Sequence, residues 1–188
     1  MAAGLNQAVR GADRPVMPIA AATVTVTDGV PSPPGRHAPA AVSLLPTRVT
    51  LLDRIAEQTP SSELSPATLV LVGLLRRDTG WPMPGEHLDR VAAALSANVR
   101  GDDWLARSGA TEFAVLLGAV AHHAETAADR LTEVVSDAGV PGLTACAGIA
   151  GLSPDTSPSE VHRRATLCLT AARSIGGGRV IRYRGTRR

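Results

Sequence analysis

From residue 41 onward the apolar positions fall into short periodic blocks separated by polar and glycine-rich breaks. Leu45, Val49, Leu52 and Ile55 recur at helical spacing, and Pro60 closes that helix. Residues 67–75 (ATLVLVGLL) form an apolar run between loops, consistent with a buried strand. Leu88, Val91, Leu95 and Val99 predict a second helix. Trp104 to Arg107 and Glu112 to Leu117 predict two strands joined through Ser108-Gly109-Ala110-Thr111, where Gly109 is expected to supply the positive φ of a hairpin turn. Ala124, Ala127, Leu131 and Val134 predict a third helix, and residues 143–150 (LTACAGIA) another strand. Ser157, Pro158 and Glu160 then read as an N-cap, a proline at N1 and a capping-box glutamate. Val161, Ala165, Cys168 and Ala172 give the last helix its stripe, Gly176-Gly177-Gly178 ends it, and Val180 to Tyr183 closes the pattern as a strand. The predicted order is helix, strand, helix, hairpin, helix, strand, helix, strand. That order describes an α/β sandwich, with helices packed on a mostly antiparallel sheet.

Residues 1–40 break the pattern. They carry Pro15, Pro18, Pro31, Pro33, Pro34 and Pro39, with one short strand candidate around Val24 and Val26. The expectation is a disordered, proline-rich segment at 1–40, a folded domain at 41–184 and a basic tail at 185–188.

Composition narrows the function classes. The 188 residues suit one domain, and 44% hydrophobic residues suffice for its core. Trp81, Trp104, Phe113 and Tyr183 are the four aromatic residues, too few for a base-stacking platform. All 19 basic residues are arginine, and the formal net charge is only +2, so nucleic acid is not an expected partner. The arginine-rich stretch from Arg173 through Arg179, Arg182, Arg184, Arg187 and Arg188 reads as a solvated terminus. Cys146 and Cys168 sit in apolar segments as small core residues. No apolar run reaches the length of a membrane span, and Asn6, Gln7, Arg10 and Asp13 interrupt any secretory h-region. A cytoplasmic protein without membrane insertion is expected. His122-His123 reads as an exposed turn, His87 and His162 as surface residues on helices, and Ser108 and Thr111 lack sequence partners for a hydrolytic triad.

Residues 42–183 resemble the GGDEF family of diguanylate cyclase domains. The resemblance rests on four segments in order: Leu45-Pro46-Thr47-Arg48, residues 105–117 (LARSGATEFAVLL), residues 146–150 (CAGIA) and residues 165–180. Gly109-Ala110-Thr111-Glu112-Phe113 stands where the family has Gly-Gly-Asp/Glu-Glu-Phe. The resemblance implies a domain that joins two GTP molecules with the help of two metal ions held by carboxylates. Those carboxylates are missing here. Gly73 falls at the first metal position, Thr111 falls at the second, and Asp78 is the only acid in the shortened segment from Arg76 to Pro84. Arg173 replaces the family's phosphate-binding lysine, while Gly177 stands in place of its partner arginine. The signature is therefore degenerate, with no catalytic residues, no metal site and no cofactor expected.

One motif of the family is intact. Arg100-Gly101-Asp102-Asp103 supplies an Arg-x-x-Asp with five residues between Asp103 and Gly109, as in the family's inhibitory site for cyclic di-GMP, and Arg130 resembles that site's further arginine. An arginine fork can donate twice to guanine O6 and N7, and a carboxylate can accept from guanine N–H groups. The expected function is a catalytically inactive signalling module that binds cyclic di-GMP or GTP through Arg100, Asp103 and Arg130 and acts on a protein partner or as a homodimer. The alternatives are a ligand-free interaction module and a weak cyclase using Glu112 and Asp78 for metal.

Overall fold

The computed structural model describes residues 44–77 and 82–185. All of them belong to the unit His37–Arg188. The expectations for residues 1–40, Asp78 and the last arginines lie outside the described residues.

Among the described residues four α-helices and five strands follow the predicted order: α1 (Arg48–Gln58), β1 (Thr68–Arg76), α2 (Gly85–Asn98), β2 (Trp104–Gly109), β3 (Glu112–Leu117), α3 (Ala124–Ser136), β4 (Leu143–Gly151), α4 (Pro158–Ile175) and β5 (Val180–Arg182). The five strands form one sheet in the order β2-β3-β1-β4-β5. β1 runs antiparallel to β3 and to β4, and β5 alone is parallel to its neighbour. β1 is central because Thr68 to Leu74 are buried on both faces.

Strand alternation sorts the core into two layers. Val70, Val72 and Leu74 of β1 face a cluster with Val91 and Leu95 of α2 and Leu131 and Val135 of α3. Leu69 and Leu71 face Leu51 and Ile55 of α1 and Val161, Ala165 and Leu169 of α4. The helices on the first side leave room for branched side chains. On the second side β4 presents only Cys146, Gly148 and Ala150 to α4. A Cβ on Gly148 would lie 2.2 Å from the Ala165 carbonyl oxygen and 2.3 Å from the Leu169 nitrogen. Backbone of helix therefore rests on backbone of strand at that point.

Local signals account for the α4 ends. Ser157 Oγ accepts from the Glu160 N–H at 3.3 Å, with Pro158 in the first turn. The expected capping box is half formed, because the Glu160 carboxylate pairs with Arg163 and Arg164 instead of turning back. Gly176, at φ +130°, ends the helix. The Gly178 N–H then reaches the Ala145 carbonyl at 2.7 Å and starts β5 along β4.

Two predicted stripes are rotated. On α1 the buried residues are Leu51 and Ile55, while Val49 is 70% exposed and Leu52 half-buried. Adjacent leucines lie about 100° apart on a helix, so periodicity alone leaves two phases, and packing against β2 and α4 selects one. On α3 the buried set is Ala124, Ala128, Leu131, Thr132 and Val135, with Ala127 and Val134 at its margin. The segment before α1 covers the β2 edge, since the Arg107 N–H donates to the Pro46 carbonyl at 2.8 Å.

Gly148→Ala is expected to lower stability by at least about 3 kcal/mol through overpacking, a fall in melting temperature on the order of 10 °C. Gly85→Ala, at a helix start where an added Cβ meets nothing within 4 Å, serves as the control and should leave the transition unchanged or slightly raised. Calorimetric melting of both variants tests the helix-on-strand contact; equal, small effects would refute it.

Candidate functional site

The hairpin β2–β3 carries the signature residues. Its turn is Ala110-Thr111, and the register slips by one residue between Arg107 and Gly109, which places a bulge at Ser108. Gly109 is not in the left-handed region, contrary to the sequence expectation; Gly139, Gly142, Gly176, Gly178 and Gly185 are the positive-φ glycines among the described residues. The bulge turns the chain instead. Arg107 clamps it, donating from Nε to the Gly109 carbonyl at 3.1 Å and from Nη2 to the Ala110 carbonyl at 3.3 Å. The Thr111 carbonyl accepts from Leu74 N–H at 2.9 Å, tying the turn to β1.

In the sheet register Gly73 lies between Glu112 on β3 and Cys146 on β4. Arg173, from α4, spans this position. A Cβ on Gly73 would fall 2.6 Å from Arg173 Nη2 and 2.8 Å from Leu169 Cδ1. The same guanidinium donates from Nη1 to Glu112 Oε1 at 2.8 Å, with both side chains less than a third exposed. Burial pushes the Cys146 thiol pKa up, and the charge of Arg173 opposes that shift.

A magnesium ion at this place would need several oxygen donors. The described residues do not fit one. Gly73 offers no side chain, a cation lies over it, and the nearest carboxylate is already paired with that cation. Among the described residues no group of three or more His, Cys, Asp or Glu is placed to hold a metal.

His162 is 5% exposed, not a surface residue as its sequence context suggested. A side chain of β2 reaches it, Ser108 Oγ lying 2.9 Å from its Nε2. Nδ1 is 3.3 Å from Thr166 Oγ1. Burial pushes the imidazole pKa down, the Arg48 charge adds to that, and Glu112 opposes it. Ser108 thus has a histidine partner 54 residues away that spacing alone did not reveal. The second imidazole nitrogen faces a hydroxyl and not a carboxylate, so the pair is a satisfied polar contact of the core. His87 is also less exposed than expected, half-buried on α2.

A second concavity lies at the other end of the hairpin. It is a cleft of about 710 Å³ whose lining includes Arg100, Asp102, Asp103, His123 and Arg130. The loop ahead of β2 is shaped by a tight turn. Asp103 Oδ2 accepts from the Arg100 N–H at 3.0 Å, and the Asp103 N–H donates to the Arg100 carbonyl at 3.1 Å. Arg130 reaches across from α3 and donates from Nη2 to the Asn98 carbonyl at 3.0 Å. The Arg100 guanidinium has no partner among the described residues, and its side chain is exposed. The floor is pinned by Thr68 Oγ1, which donates to the Ala119 carbonyl at 2.6 Å. Arg100, Asp103 and Arg130, separated in sequence, thus meet at one surface. His122 and His123 form the exposed turn expected of them.

A family model described as the diguanylate cyclase GGDEF domain matches residues 75–179. No curated protein sequence matches the chain at a significant level. Among solved structures the fold is similar to that of the diguanylate cyclase SiaD from Pseudomonas aeruginosa, crystallised with its activator SiaC, at 23% identity and a TM-score of 0.67. That match covers 78% of this chain and 61% of SiaD, so the chain spans less than two thirds of that protein. The active GGEEF domain of a Vibrio cholerae diguanylate cyclase is 21% identical, with a TM-score of 0.63, over 76% of this chain and 99% of that one. The GGDEF domain of DgcB from Caulobacter crescentus, solved with c-di-GMP, is 20% identical, with a TM-score of 0.64, over 80% of this chain and 99% of that one.

The burial of His162, with the Arg48 charge adding to it, makes stability depend on pH. The native state resists protonating His162, whose pKa lies below the ordinary 6.5, whereas the unfolded chain takes up that proton. The stabilisation is complete above about pH 6.5 and is lost as pH falls toward the lowered native value. His162→Gln should therefore show a smaller loss of melting temperature than the wild type between pH 7.5 and 5. Parallel pH profiles for the two proteins would contradict this assignment.

Proposed function

Because the chain belongs to the diguanylate cyclase GGDEF domain family, we propose that it is a non-catalytic member of that family that receives cyclic di-GMP in the cleft of Arg100, Asp103 and Arg130 and passes the signal to a protein partner. The observation that carries this reading is the contrast between the two ends of the hairpin. At the signature end a guanidinium is paired with Glu112 over Gly73, so positive charge stands where catalysis would require carboxylates and metal. At the far end the Arg100 guanidinium has no partner among the described residues and lies beside a second arginine and two aspartates in an open cleft.

The chemistry of the cleft suits a cyclic dinucleotide. The planar fork of Arg100 matches a guanine edge or a phosphate, and a carboxylate at Asp103 can accept guanine N–H groups. The DgcB domain solved with c-di-GMP supports the ligand, and SiaD with its activator supports a protein partner. No helix of the described residues is long and apolar enough to cross a membrane, in keeping with a cytoplasmic role.

The purified protein is expected to yield no cyclic di-GMP from GTP with magnesium or manganese, and Thr111→Asp is expected not to restore it, because Gly73 still lacks a ligand and Arg173 still lies over it. Product detected chromatographically with the wild type would overturn the non-catalytic reading.

Calorimetric titration with cyclic di-GMP tests the receptor reading. Arg100→Ala removes a possible bidentate contact worth about 1–3 kcal/mol, so affinity should fall at least several-fold, and Arg100→Lys should weaken binding too. Unchanged affinity in Arg100→Ala would displace the ligand from this cleft; no heat with the wild type would leave a ligand-free interaction module.

A further inference from the structure

The charges that line the cleft are balanced. Arg100 and Arg130 are matched by Asp102 and Asp103, so a dianionic cyclic dinucleotide meets no net positive charge there. The one further titratable group of the lining is His123. It immediately precedes α3 and makes no side-chain cap bond. Its ring is exposed, touches that of His122 at a centroid distance of 4.1 Å, and has no hydrogen-bond partner among the described residues.

We infer that His123 is a charge-switched contact of this cleft, one that holds the phosphodiester of a cyclic dinucleotide more tightly as pH falls. The inference rests on the cyclic di-GMP reading above and adds to it a residue and a regulation. Histidine is the side chain whose charge changes between about pH 5 and 8, while the phosphodiesters and guanines of the ligand keep theirs. The charged groups that share the cleft with it are Arg100, Asp102 and Asp103 on the loop before β2, and Arg130 on α3. Glu125, two residues further on, is engaged with Arg182 of β5. Protonated His123 tips the balanced lining to net positive and adds an N–H donor at the start of α3, the helix that also carries Arg130. By linkage the bound phosphodiester raises the proton affinity of the imidazole, and each unit of that shift is worth a tenfold change in affinity.

Cyclic di-GMP titrations at pH 8 and pH 5.5, in the same salt, test this on the wild type, His123→Gln and His122→Gln. The melting temperature of each variant is checked at both pH values. The wild type should bind about three- to tenfold more tightly at pH 5.5. His123→Gln should bind with one affinity at both, close to that of the wild type at pH 8, and His122→Gln should keep the pH dependence. Equal pH dependence in the wild type and His123→Gln, or its loss in His122→Gln alone, overturns the inference and leaves the receptor reading standing. Absence of binding at both pH values overturns the receptor reading and the inference with it.

Discussion

At Gly148 helix α4 rests on strand β4 with no side chain between them, the carbonyl of Ala165 and the nitrogen of Leu169 occupying the space a Cβ would take. Much of the molecule is positioned from that contact. A helix so close to the sheet needs small residues on both surfaces, and β4 supplies Cys146 and Ala150 beside Gly148 while α4 supplies Ala165, Cys168 and Ala172. The distance then decides where the longer side chains of α4 land. Leu169 and Arg173 reach β1 at Gly73, and His162 reaches β2 at Ser108. Overpacking of close-packed interiors is costly because neither backbone can yield locally.

The signature end of the hairpin follows from this placement. With Arg173 held over Gly73, the carboxylate of Glu112 across the register has a partner within the chain. The partial burial of the pair favours keeping both charges together, since a lone buried charge is far more costly than a paired one. Arg107 adds a clamp on the turn carbonyls, and Leu74 ties the Thr111 carbonyl to the central strand.

The cleft of Arg100 and Arg130 lies at the opposite end of β3, about 17 Å of strand away. It is built from a loop, the end of a strand and the first turns of α3, and none of its charged groups takes part in the contact between α4 and the sheet. That separation lets the two ends of one hairpin differ: one closed by an internal ion pair, the other open and lined with charge. Among the described residues two bonds to backbone restrain the charged side chains of the cleft, Arg130 donating to the Asn98 carbonyl and Asp103 accepting from the Arg100 N–H, and both leave the Arg100 fork free.

The order of helices and strands, the buried strand at residues 67–75 and the cap at Ser157 were legible in the sequence, because hydrophobic period, capping chemistry and glycine breaks are local properties of the chain. So was the family, through four short segments in the right order. Tertiary structure decided the rest. Leu51 in place of Leu52, the bulge at Ser108 in place of a left-handed Gly109, and the burial of His162 all depend on which surface a neighbouring element covers. The sequence alone determined that Gly73 and Thr111 carry no carboxylate; only packing determined that Arg173 lies over the first and holds Glu112. Residues 61 apart form that ion pair, and residues 54 apart form the Ser108–His162 contact. A pattern read along a chain carries the period of each element but not the height at which one rests on the next, and at Gly148 that height is set by the absence of a single carbon atom.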